Sequence, residues 1–166
     1  MEMPTFETFT HVVLIGMGAT ALMDIWLQIL NRFGVPTQNF ALLGRWIGHW
    51  RHGIWRHEAI AAASPVRGEA AIGWAAHYAI GIAFAALLVT VQGKGWIEAP
   101  SLKPALLTGF MTVAAPLLLL QPAMGAGIAS SKTRMPVRNS FKSLANHMAF
   151  GWGLYFAATA IRSIGV

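Results

Sequence analysis

Three ionisable side chains, Asp24, His77 and His147, stand inside otherwise apolar stretches of this 166-residue chain. Each is a candidate for chemistry, because an unpaired charge in a hydrocarbon layer costs on the order of several kcal/mol. Imidazole together with carboxylate suits Zn, Fe or Mn, and suits proton exchange equally well; the two histidines by themselves are a possible axial pair for haem. The same three residues also suit an interhelical hydrogen-bond cluster with no ligand at all. Asp24 lies eight residues before Arg32, His77 eight after Glu69 and His147 five after Lys142, which is roughly 8 to 12 Å of helix in each case. Gln121 falls at a similar depth. The expected ligand-binding set is Asp24, His77, Gln121 and His147, flanked by Gln28, Asn146 and Tyr155, with Asp24, His77 and His147 as the metal-ligating subset.

Helical spacing gives these groups a direction. Thr20, Asp24 and Gln28 are four apart and form a polar seam; Ser143, His147, Gly151, Tyr155 and Thr159 form another. His77 lies between Gly73 and Gly81, on a small-residue face that lets helices approach closely. All three ionisable groups are therefore expected to point into a helical bundle.

Other chemistries find little support. The chain has no cysteine, which excludes disulfides, thiolate metal ligands and Cys nucleophiles. His57-Glu58 begins like a zinc-protease motif, but position 61 is Ala61 rather than a second histidine. Ser143 is one turn from His147, and nothing marks it as an activated nucleophile. The glycines of 121–127 precede Lys132 and Arg134, a weak phosphate-loop likeness that lacks a glycine before the lysine.

The elements that position these residues follow from hydropathy. The chain is 55% hydrophobic and 11% charged, with a mean hydropathy of +0.54, a balance foreign to most soluble domains. Four stretches have the roughly 20 apolar residues that a bilayer core requires: 12–30, 70–91, 104–124 and 144–161. The expected fold is a single-domain, all-α integral membrane protein with four transmembrane helices. Residues 1–10 carry Glu2 and Glu7 but no Lys or Arg, unlike a secretory signal, so the first stretch is expected to stay with the mature protein. Pro116 and Pro122 should kink or end the third helix.

Between the first two stretches lies a connection too long to be structureless. Asn39 is a suitable N-cap, and Phe40, Leu43, Ile47, Trp50 and Ile54 recur at helical steps opposite Arg45, His49, His52 and Arg56. An amphipathic helix over 39–57 is expected in the membrane interface, weakened by Gly44, Gly48 and Gly53. Trp26, Trp74, Trp96 and Trp152, near span ends, are expected to be interface aromatics.

Nine of the twelve Lys and Arg residues fall in the first and third connections. Basic residues beside spans are retained in the cytoplasm, which puts both termini outside. The net charge of +6 thus records topology rather than nucleic-acid binding. Arg45, Arg51, Arg56, Lys132, Arg134 and Arg138 are the expected contacts for anionic lipid headgroups or phosphate.

Four segments carry a likeness to known proteins: Gly16-Met17-Gly18-Ala19-Thr20 with Met23-Asp24, Leu43-Gly44-Arg45-Trp46-Ile47-Gly48-His49, Trp74-Ala75-Ala76-His77-Tyr78-Ala79-Ile80-Gly81, and Gln121-Pro122-Ala123-Met124-Gly125-Ala126-Gly127. Together they resemble a family of bacterial inner-membrane proteins known as a domain of unknown function. The resemblance covers nearly the whole chain and implies a bacterial cytoplasmic membrane. It transfers no catalytic residue.

The functional expectation is binding or transport of a small polar or amphiphilic ligand or ion in a pocket near the cytoplasmic side. An intramembrane metal-dependent or haem-binding enzyme is the second expectation, and a structural or accessory subunit the third. Gly and Ala faces also suit a homodimer.

Overall fold

A computed structural model describes residues 6–164, and among them all regular structure is helical. Glu2 lies outside the described residues. The first element among the described residues is helix α1 (Phe6–Arg32), long and apolar enough to cross a bilayer. Helix α2 (Phe40–His49) and a tighter turn (Trp50–His52) follow. Next come α3 (Glu69–Gln92), the short α4 (Gly95–Glu98) and α5 (Leu102–Thr112). A wide turn (Ala115–Leu120) and α6 (Gln121–Ala123) extend α5, and α7 (Pro136–Ile164) closes the chain.

Among the described residues, three helical stretches are long and apolar enough to span: Phe6–Arg32, Glu69–Gln92 and Leu102–Ala123. This corrects the expected count of four. The fourth segment does form a helix, of 29 residues, but Asn146, His147, Tyr155 and several glycines dilute its hydropathy below that of the other three. The wide turn inside Leu102–Ala123 has a local cause. Pro122 has no amide to offer the carbonyl one turn earlier, and the amide of Gln121 reaches back five residues to Pro116 O.

The chain divides into two compact units. The first comprises the described residues up to Val35, Tyr78–Thr112 and those from Asn146 onward. Its core joins Ile15 and Ala19 of α1, Ala85 and Leu88 of α3, Ala105 of α5, and Phe150, Leu154 and Ala158 of α7. Trp96 of α4 lies in this core with its indole N–H donating to Ser101 O at 3.2 Å, so it is not the interface aromatic expected from its position. Small residues set the helix contacts. A Cβ at Gly16 would meet the backbone of Ile82, one at Gly153 the backbone of Ala19, and one at Gly109 the carbonyl of His147. The helices of this unit therefore neighbour one another in the order α3, α1, α7, α5.

The second unit comprises Pro36–His77 and Val113–Ala145. Asn39 caps α2 as expected, its side chain accepting from Ala41 N at 3.0 Å. The helix stops well before residue 57, because Gly53 takes a left-handed conformation (φ 71°) and the chain reverses. Gly44 has a use beyond weakening α2: a Cβ there would strike the carbonyl of Glu69, and one at Gly73 the carbonyl of Phe40. Helices α2 and α3 thus touch backbone to backbone. Residues 54–68 fold back along α2, and the amides of His57 and Ile60 donate to the carbonyls of Ala123 (2.8 Å) and Met124 (3.1 Å).

Candidate functional site

In the first unit, each helix seam that is closed by small residues also carries one polar pair. Between α1 and α3, the Tyr78 hydroxyl donates to the Asp24 carboxylate at 3.0 Å. Between α1 and α7, the Trp26 indole donates to Asn146 Oδ1 at 3.0 Å. Between α5 and α7, Thr112 Oγ1 and His147 Nδ1 are 3.0 Å apart. The Thr112 hydroxyl donates its own proton to Gly109 O, so it accepts from His147, which fixes the hydrogen on Nδ1 and leaves Nε2 as the acceptor nitrogen of that ring. Asp24 and Asn146 are buried, and His147 is half-buried. The expected polar seam on α1 ends at Asp24: Thr20 is buried with its hydroxyl on Gly16 O, whereas Gln28 is exposed. Tyr155 is half-buried against the core, while Thr159 is exposed.

The second unit holds the other two expected site residues. His77 is buried and stacked on Phe40, ring centroids 4.0 Å apart, with Trp74 edge-on at 5.8 Å. Gln121 is held by two serines, its amide donating to Ser143 Oγ at 3.2 Å and its oxygen accepting from Ser130 at 3.0 Å. Among the described residues, no group of three or more His, Asp or Glu side chains is gathered as metal ligands require.

Residues 125–134 form a tight reversal in which Ala129 and Ser130 both adopt left-handed backbone conformations (φ 48° and 61°). The amides of Ser130, Ser131 and Lys132 donate to carbonyls within this same stretch, which leaves them unavailable as an anion cradle. Lys132, Arg134 and Arg138 are exposed, as are Arg51 and Arg56. Arg45 is different. Its guanidinium forms a two-point ion pair with Glu69 (2.9 and 2.8 Å) and reaches the carbonyls of Ile60, Ala61 and Ala63. Glu69 also accepts from Val66 N at 2.9 Å. Together the pair ties α2, the returning segment and the start of α3 into one piece.

Sequence reasoning missed the partners rather than the principals. Tyr78 follows His77 directly, and Thr112 lies one turn after Thr108 in an apolar run; a hydroxyl in each helix is the available signal. His49 also lies elsewhere than on the basic stripe expected for it. His49, His52 and His57, within nine residues, are a weak cue for metal, and of these His49 and His57 meet. His49 is buried, with Nε2 3.0 Å from Ser64 O and Nδ1 2.7 Å from His57 Nε2. No spacing rule predicts this contact, since it depends on the reversal at Gly53. Burial first, and then the neighbouring His49, lower the pKa of His57.

These features define a helical protein with several apolar helices of membrane-spanning length and hydrogen-bonded polar residues within them. The family model described as "Protein of unknown function (DUF2938)" matches residues 13–161, and the chain belongs to that family. No curated protein and no solved structure matches it.

Proposed function

We propose that this is a polytopic membrane protein of the bacterial cytoplasmic membrane that binds or moves a small polar or amphiphilic ligand, or an ion, at the Asp24 level of its first unit. The observation that carries the reading is the burial of an ionisable acid within an apolar helix, 9% exposed. The Tyr78 phenol donates to that carboxylate, and an acid held inside an apolar helix is a position where a proton or cation can be exchanged. His147, with Nε2 as acceptor, supplies a second exchangeable position in the same unit. In the proposed orientation both termini face outward and the basic connections face the cytoplasm. Exposed Arg51, Arg56, Lys132, Arg134 and Arg138 contact anionic headgroups, and Arg45 takes no part because its donors are committed within the protein.

A second reading, a structural or accessory subunit, is favoured by the one-pair-per-seam pattern, which is what helix packing alone would select. One experiment separates the two. Purified protein in proteoliposomes is assayed for proton flux with a pH-sensitive dye trapped inside. Asp24→Asn retains an oxygen acceptor for Tyr78 but loses the charge. A drop in flux of tenfold or more supports the site; equal flux from correctly folded variant and wild type favours the structural subunit.

A further inference from the structure

His49 and His57 of the second unit are joined ring to ring, and the protons on that pair can be placed by elimination. Ser64 O can only accept, so His49 Nε2, 3.0 Å away, carries a hydrogen. In the neutral ring Nδ1 is then a bare lone pair. The contact of 2.7 Å from His49 Nδ1 to His57 Nε2 therefore requires the hydrogen to sit on His57 Nε2. This leaves His57 Nδ1 without a hydrogen, and among the described residues that atom is buried with no hydrogen-bond partner. Buried acceptors are rarely left unsatisfied.

We propose that the His49–His57 pair is a two-step proton site: the first proton enters at His57 Nδ1, and the second, at His49 Nδ1, breaks the ring–ring bond and uncouples His57 from α2. The first step converts His57 to an imidazolium that still donates through Nε2, so the contact becomes charge-assisted and is kept. The second removes the only lone pair that His57 Nε2–H can reach. The backbone amide of His57 stays on Ala123 O throughout, so what is released is one tie between α2 and the returning segment, while Arg45 keeps its hold on the carbonyls of Ile60, Ala61 and Ala63 and His49 Nε2 on Ser64 O.

The surrounding charges do not pre-empt this. On α2 the nearest is Arg45, which is paired with Glu69 at the start of α3, and the Glu69 carboxylate also interacts electrostatically with His49. Residues 121–125, packed against the returning segment, contain no ionisable group, and His77 is stacked on Phe40 at the far end of α2. Arg51, His52, Arg56 and Glu58 are exposed. The lowered pKa of His57, caused by burial first and by His49 second, agrees with a neutral His57 ring at neutral pH.

The test is imidazole nitrogen NMR on the full-length protein, 15N-labelled at histidine, in detergent micelles. At pH 7.5 both rings are expected as Nε2–H tautomers. On acidification His57 should protonate with a midpoint below the ordinary value of about 6.5. A His49 Nδ1–H tautomer, or two rings titrating independently at ordinary midpoints, overturns the proposal. The Trp46 indole N–H, which donates to Trp55 O at 2.8 Å, reports the loosening of this segment: its protection factor, corrected for the intrinsic pH dependence of exchange, should fall severalfold at low pH in wild type and stay constant in His57→Gln. A fall of equal size in both also overturns it. The wild-type tautomers decide the matter if the variant fails to fold.

Discussion

The two units bury polar groups by different means. In the first, long helices meet at glycine and alanine, and each seam carries one short side-chain pair: Asp24 with Tyr78, Asn146 with Trp26, His147 with Thr112. In the second, a reversing segment is held to α2 by a network: Arg45 reaches Glu69 and three carbonyls, and His49 reaches His57 and Ser64. The contrast follows from backbone chemistry. Helices satisfy their own amides, so polar side chains between them answer only to one another. An irregular segment exposes carbonyls, and those of 60–64 recruit long donors such as Arg45 and imidazole. Pairwise seams should therefore fail independently, whereas the network should fail as a unit.

The largest expected effect breaks a seam outright. Gly16→Leu drives a side chain into the backbone of Ile82, which cannot rotate away, and should cost at least about 3 kcal/mol, the upper range for forced overpacking. Thermal unfolding in detergent measures this. Gly95→Ala, with nothing near its added methyl, is the control and should be neutral or gain up to about 1 kcal/mol. Equal losses at both positions would remove close helix approach as the cause.

A smaller effect tests the independence of the pairs. Tyr78→Phe leaves Asp24 without that donor and should cost about 1–3 kcal/mol. Thr112→Val, on another seam, should add to it nearly in full. Strong non-additivity in the double variant would mean that the seams are coupled and the contrast with the second unit is lost.

The smallest effect is a pH slope confined to the network. The folded pKa of His57 is lowered, so the unfolded chain binds its proton more readily. Its contribution to stability is complete above the unfolded value of about 6.5 and is lost as pH falls through the folded value. Between pH 7 and 5, wild type should lose more stability than His57→Gln, by less than the one-proton limit of about 1.4 kcal/mol per pH unit. Parallel profiles would show that this ring does not titrate differently on folding.

Much of the fold was legible in residue order alone. Hydropathy located α1, α3 and the stretch from α5 to α6 to within a few residues, apart from an earlier start to α1; Asn39 announced the start of α2, and Pro116 and Pro122 marked the irregular turn. The fourth segment is a helix, as its apolar residues imply, but Asn146, His147 and Tyr155, the residues that make it a candidate site, also lower its apolarity below that of a span. Asp24, His77, Asn146 and His147 were singled out by type; their partners were not.

Neighbouring residues specify the long helices and the anomaly of an acid and imidazoles inside apolar runs, because hydropathy, propensity and capping act over short distances along the chain; the short α4 carries no such signal. Folding in three dimensions is what makes Tyr78 serve Asp24, turns Arg45 inward to Glu69 and buries His49 against His57. Those outcomes depend on where glycines let backbones touch and where Gly53 turns the chain. Contacts between residues distant in sequence are fixed by packing as a whole, and no local pattern encodes them.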